Sequence, residues 1–155
     1  MIALREVRDD DLDGLFAQMR DPQSVQMAAF TPDDPDDRAA FDAHMNKVLN
    51  DPKITHRAIT EDGRLVGSIA CFVIEGHTEI TYWLDRAVWG RGVATRALAA
   101  FLELVPTRPL RARAASDNIG SLKVLQRAGF TITGTEIAYA RARNTKIEET
   151  TLVLT

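Results

Sequence analysis

A single cysteine, Cys71, stands in the 155-residue chain, so neither an intrachain disulfide nor a cysteine-based zinc site can form. No charge of one sign dominates: 19 lysines and arginines face 22 aspartates and glutamates, for a net charge of −3. That balance removes the bulk electrostatic case for sequence-independent nucleic-acid binding, which needs a basic face. Long hydrophobic runs are also missing. The longest nearly apolar stretch, Leu65 to Ile74, contains Gly67 and Ser68 and is far too short to span a bilayer. The opening Met1 to Glu6 lacks the basic region, apolar stretch and small-residue cleavage site of an export signal. The expectation is a cytoplasmic protein with no membrane or nucleic-acid partner. His44, His56 and His77 show no metal spacing, so no metal is expected, and no Gly-x-Ser-x-Gly elbow supports a hydrolase triad.

What is present is enough apolar surface to offset the entropy of ordering, with 45% hydrophobic residues including two Trp and six Phe. The length fits one domain over residues 1–155, because no repeat, linker or composition shift divides it. Met1 to Val7 reads as a strand, followed by a helix with Leu12, Leu15, Phe16 and Met19 on one face and acids at its start. Pro22, Pro32 and Pro35 with several aspartates make Asp21 to Asp37 a loop before a second helix carrying Phe41, Met45 and Val48. Asp62-Gly63 and Glu75-Gly76 then punctuate an antiparallel meander of three strands. A helix with Ala94, Leu98, Phe101 and Val105, a strand from Leu110 to Ala115, and a helix with Leu122 and Leu125 come next, and Phe130–Ile132 and Thr150–Leu154 close the chain as strands. The fold class is α/β: a mixed, mostly antiparallel sheet of six to seven strands with about four helices.

Chemistry concentrates between the third meander strand and the following helix. Gly90, Gly92 and Ala94 carry little or no side chain, so an anion can approach the N–H groups at a helix start, where the helix dipole favours negative charge. The same small residues also serve a tight turn that packs closely, and the glycines alone do not separate the two. A P-loop is excluded because neither glycine is followed by the required Lys-Ser/Thr, and a dinucleotide fingerprint would need glycine where Thr95 stands. Asp117 lies roughly where a ribose-binding acid would be, but the antiparallel meander argues against a dinucleotide fold.

These segments resemble the GNAT acetyltransferases, particularly the branch of ribosomal-protein N-terminal acetyltransferases. Trp89-Gly90-Arg91-Gly92-Val93-Ala94 is similar to their acyl-CoA loop, Gln/Arg-x-x-Gly-x-Gly/Ala, with Trp in the first position as in this branch. Glu79-Ile80-Thr81-Tyr82-Trp83-Leu84 resembles the branch's Glu-x-Gly-Tyr-Trp-Leu strand. Asn118-Ile119-Gly120-Ser121 and Arg127-Ala128-Gly129-Phe130 resemble its Asn-x-x-Ser and Lys-x-Gly-Phe signature.

The resemblance implies acetyl-CoA as co-substrate, wedged between the strand ending at Leu84 and the strand Leu110 to Ala115. It implies pyrophosphate binding by backbone N–H groups from Arg91 through Gly92, Val93 and Ala94 to Thr95, and pantetheine binding by the backbone of Trp83 and Leu84 with polarisation of the thioester carbonyl. Asn118 would touch the pantetheine and Ser121 would protonate the leaving thiolate; read from the residues alone, Asn118 is a helix N-cap and Ser121 a small packing residue. Relatives often carry a tyrosine acid where this chain has Leu125. Glu79 is the candidate general base, or else a solvated strand-end carboxylate. Arg91 is expected to meet coenzyme phosphates, with Lys123 and Arg127 as further candidates. Met27 and Phe30 are expected to line the acceptor pocket, and Asp33, Asp34, Asp36 and Asp37 to attract a cationic amine. Glu148 and Glu149 read as edge charges that discourage aggregation. The activity implied is N-acetyl transfer to a protein N-terminus or a small-molecule amine; the alternative is a non-catalytic acyl-CoA-binding or sensor domain. Dimers are frequent in the family, so a homodimer is compatible with it.

Overall fold

The computed structural model describes residues 1–155. Seven strands form one sheet: β1 (Ile2–Glu6), β2 (Thr55–Glu61), β3 (Arg64–Ile74), β4 (His77–Leu84), β5 (Leu110–Ala115), β6 (Thr131–Ala140) and β7 (Thr145–Leu154). Their spatial order is β1-β2-β3-β4-β5-β7-β6, and every neighbouring pair is antiparallel except β4 and β5. The helices are α1 (Leu12–Met19), α2 (Pro22–Ala28), α3 (Arg38–Leu49), α4 (Val93–Leu104) and α5 (Ile119–Arg127).

The meander forms where its turns require it. Asp62 and Gly63 have φ of 52° and 83°, and Glu75 and Gly76 have 51° and 79°, the left-handed pair that a two-residue hairpin uses to match strand twist. Side chains then alternate across the sheet. Ile69, Ile80, Leu110 and Leu152 join Leu98 and Phe101 of α4 and Leu125 of α5 in the main core. On the opposite face the Trp83 indole Nε1–H donates to the Gln18 carbonyl at 3.0 Å, tying α1 to β4.

Five helices stand where about four were expected. The addition, α2, lies inside the expected loop. Pro22 there starts the helix rather than breaking it, because a proline at the first helical position lacks only an N–H that would be unbonded anyway. Asp21 caps it, accepting from the Ser24 N–H at 3.0 Å. The closing strands are also longer than expected, ten residues each. β6 is an edge strand with Ile132, Ile137 and Tyr139 exposed, so it lacks the apolar alternation that marks a half-buried strand.

His56 on β2 is largely buried and its Nδ1 has no partner. Burial, with smaller repulsion from His44 and Arg57, pushes its pKa down to about 4. An unfolded histidine takes its proton near 6.5, so between that value and about 4 the unfolded chain binds the extra proton and stability falls as the pH drops. The expected loss is about 3 kcal/mol across that window, and His56→Gln should flatten it. Denaturant titrations at pH 7, 5.5 and 4.5 check this; parallel pH profiles for the two proteins would refute it.

Candidate active site

β4 and β5 pair only at Thr78↔Leu110 and Glu79↔Arg111, although β4 runs on to Leu84 and β5 to Ala115. Beyond those two pairs the strands diverge. The opening is a cleft of about 570 Å³ lined by Tyr82, Trp83 and Leu84 of β4, by the start of α4 and by the start of α5, with Ser24 and Met27 of α2 at one wall.

The α4 end of the cleft is built to receive negative charge. Gly92 is the N-cap residue, with φ 77° and no side chain to accept from the first turn. The N–H groups of Val93, Ala94 and Thr95 therefore have no capping partner, and all three residues line the cleft. A Cβ placed on Gly90 or Gly92 would meet nothing within 4 Å, so the glycines are not required by close packing; they keep a left-handed loop open toward the cleft. Those observations fit a pyrophosphate held by backbone.

The arginines divide sharply. Arg91 does not line the cleft: its guanidinium holds both oxygens of the Glu61 carboxylate, at 3.0 and 2.9 Å. The expected phosphate contact from its side chain is therefore replaced by an ion pair to Glu61 at the end of β2. Arg86 is likewise held by Asp21 at 2.9 Å. Lys123 and Arg127, both lining the cleft, have no ion-pair partner. They are the two unpaired cations of the cleft lining.

At the α5 wall Asn118 is the N-cap, its side chain accepting from the Ser121 N–H at 3.3 Å, and it also lines the cleft. Ser121 also lines the cleft, and its hydroxyl lies 2.7 Å from the Tyr82 hydroxyl. Tyr82, which the sequence shows only as part of the strand motif, also lines the cleft; 39 residues separate it from Ser121. Burial raises its phenol pKa, partly offset by the bond to Ser121. Leu125, at the position of the missing tyrosine, is fully buried in the core. The indole Nε1–H of Trp89 donates to the Leu84 carbonyl at 3.3 Å, a long bond from an exposed side chain.

Glu79 sits on the opposite sheet face from Tyr82 and is buried. Its carboxylate accepts from Arg113 Nε at 2.8 Å, so it is not a free strand-end carboxylate. Glu149, expected as an edge charge, is instead buried on β7, an interior strand. It reaches Arg113 only at 3.9 Å, and burial raises its pKa against that attraction. Glu79 and Glu149 thus flank one guanidinium.

Of the two residues expected at an acceptor pocket, Met27 lines the cleft, whereas Phe30 packs on the small cluster Ala29, Ala115 and Ala140 and is outside the lining. The aspartate run is consumed locally: Asp33 pairs with Arg141, Asp36 with Arg20, Asp37 caps α3 and Asp34 accepts from the Asp36 N–H. Asp117 is held by two nitrogens of Arg143, whose Nε–H also donates to the Gln26 carbonyl at 2.8 Å. That clamp joins α2, the start of α5 and the β6–β7 turn, and it removes Asp117 from a ribose-binding role.

Residues 2–131 match the family described as Acetyltransferase (GNAT) domain. The chain belongs to the GNAT acetyltransferase family. A probable N-acetyltransferase of Bacillus subtilis (strain 168), YjcK, is 38% identical over 78 residues, 44% of this chain and 42% of that protein. The match thus spans less than half of that relative's length. Among solved structures, RimL, a ribosomal L7/L12 alpha-N-protein acetyltransferase in complex with coenzyme A, superposes with a TM-score of 0.81 at 16% identity, covering 99% of this chain and 93% of that one. The spermidine N-acetyltransferase of Vibrio cholerae, in complex with coenzyme A and spermine, gives 0.77 at 15% identity, over 98% and 95%. At such identities the likeness is one of fold.

Proposed function

We propose that this GNAT chain transfers the acetyl group of acetyl-CoA to a primary amine by direct attack in a ternary complex. The observation that carries the reading is the divergence of β4 from β5 beside an uncapped α4 N-terminus. The backbone of Val93 to Thr95 binds the pyrophosphate there, and Lys123 and Arg127 supply the remaining positive charge. Trp83 and Leu84 offer backbone groups to the pantetheine and the thioester carbonyl, with the long Trp89 bond to Leu84 yielding on binding. Ser121 gives a proton to the leaving sulfur, a weak acid sufficing because a thiolate is a fair leaving group. Proton removal from the incoming ammonium is assigned to the Glu79 side of the sheet, with Glu149 as a second carboxylate on the same guanidinium.

The acceptor is a primary amine, either a protein N-terminus, as for RimL, or a small-molecule amine, as for the spermidine enzyme. Calorimetric titration with acetyl-CoA, coenzyme A and NAD, followed by an amine panel read by thiol release, tests the proposal. Selective acetyl-CoA binding with turnover of one amine class supports it. Binding without turnover across N-terminal peptides, polyamines and amino acids would favour a non-catalytic acyl-CoA sensor, and NAD binding alone would overturn the coenzyme assignment.

A further inference from the structure

One polar contact bridges the two walls of the cleft. Tyr82 projects from the β4 wall and Ser121 from the α5 wall, and their hydroxyls meet at 2.7 Å. The bond has a direction that chemistry supplies. A phenol is a far stronger acid than an aliphatic alcohol, so the Tyr82 O–H donates and the Ser121 Oγ accepts. With its backbone N–H already given to Asn118 Oδ1, Ser121 is held at both ends, and its own hydroxyl hydrogen must turn away from Tyr82. Lys123, Arg127 and Asp117 are the charged groups lining the same cleft, and none bonds to either hydroxyl.

We propose that Tyr82 is a positioning residue for acetyl transfer: by donating to Ser121 Oγ it aims the Ser121 proton at the coenzyme sulfur. The inference rests on the reading of the cleft as an acetyl-CoA site. In the step it serves, the amine lone pair forms the C–N bond and the C–S bond breaks, its electron pair going to sulfur. The Ser121 hydroxyl proton passes to that sulfur, and the proton lost from the amine nitrogen returns to Ser121 through water. Tyr82 keeps its proton throughout. Its burial and raised pKa suit a donor that stays neutral over the working range. On this reading a phenol still takes part although Leu125 replaces the tyrosine acid: it acts from β4 rather than α5, through the serine hydroxyl.

The test compares wild type, Tyr82→Phe, Ser121→Ala and the double variant. Three quantities are read: kcat with any accepted amine, Kd for coenzyme A by calorimetry, and the ionisation of the bound coenzyme thiol from its thiolate absorbance. In Tyr82→Phe, kcat should fall about tenfold or more with Kd within about twofold of wild type, because the ring and its packing remain. The bound thiol of wild type should ionise at lower pH than the free thiol, since an aimed hydroxyl stabilises the thiolate, and that shift should disappear in both single variants. Removing Tyr82 in the Ser121→Ala background should change nothing further.

Unchanged thiol ionisation in Tyr82→Phe, or an equal loss from Tyr82→Phe whether or not Ser121 is present, would overturn the positioning role and leave acetyl-CoA binding intact. Failure of wild type to bind coenzyme A would instead overturn the functional reading together with this one. If coenzyme binds and no amine is turned over, the thiol titration alone decides.

Discussion

Gly92→Val should weaken acetyl-CoA binding by about 100-fold, close to 3 kcal/mol, while the protein stays folded. Two effects act at this position. With φ at 77°, a β-branched residue is a backbone outlier, and the left-handed conformation costs roughly 1–2 kcal/mol. Relaxing that strain turns the first N–H groups of α4 away from a common point. The new side chain also occupies space that no protein atom fills within 4 Å, space the proposed pyrophosphate needs for close approach to backbone. Gly63→Val provides the control: its φ is 83° and its surroundings are equally open, but it lies in the β2–β3 turn, away from the cleft. Calorimetry and thermal melts on the two variants separate strain from ligand contact. Similar losses of thermal stability with a loss of affinity only in Gly92→Val are expected; wild-type affinity in that variant would remove the α4 N-terminus from coenzyme binding.

Gly67→Ala should cost about 3 kcal/mol of stability, a fall in Tm of roughly 10 °C for a domain of this size. Gly67 lies opposite Leu84 in the β3–β4 ladder. A Cβ there would stand 2.2 Å from the Trp83 carbonyl oxygen and 2.9 Å from Leu84 Cδ2. Backbone cannot yield as a flexible side-chain tip can, so the end of β4 must be displaced. Because Trp83 and Leu84 line the cleft, acetyl-CoA affinity should fall along with stability. This separates Gly67 from Gly92, where affinity falls much further than stability. A Gly67→Ala protein with the wild-type melting temperature would show that β4 accommodates the methyl without moving.

The parts of this molecule that sequence reveals are those governed by local rules. Asp62-Gly63 and Glu75-Gly76 place the hairpins because two consecutive positive φ values admit few residue types. Gly90 to Ala94 mark the turn before α4 because two positive φ values close together, at Gly90 and Gly92, call for glycine there. Pro22 misleads for the complementary reason: the same ring that breaks a helix interior suits its first position, and only the Asp21 cap decides between them. β6 is under-read because an edge strand exposed along most of its length has no buried face to impose alternation. Site contacts escape when they join distant segments. Arg91 finds Glu61 thirty residues back, and Glu79 finds Arg113 thirty-four residues on. Nothing local distinguishes Arg91, which is neutralised, from Arg127, which is not.

The placement of β7 between β5 and β6 has a consequence for how the chain is made. Synthesis delivers β5 and then β6 before β7, yet neither can join the other until β7 arrives to pair with both. While β7 is still within the ribosome, β5 presents an unpaired edge and β6 has no sheet to enter. The nascent chain passes through a stage in which half of the cleft's framework lacks its outer neighbour, the arrangement most open to pairing with another chain. β6, whose residues are largely solvent-exposed even in the finished fold, is well suited to waiting in water for its partner.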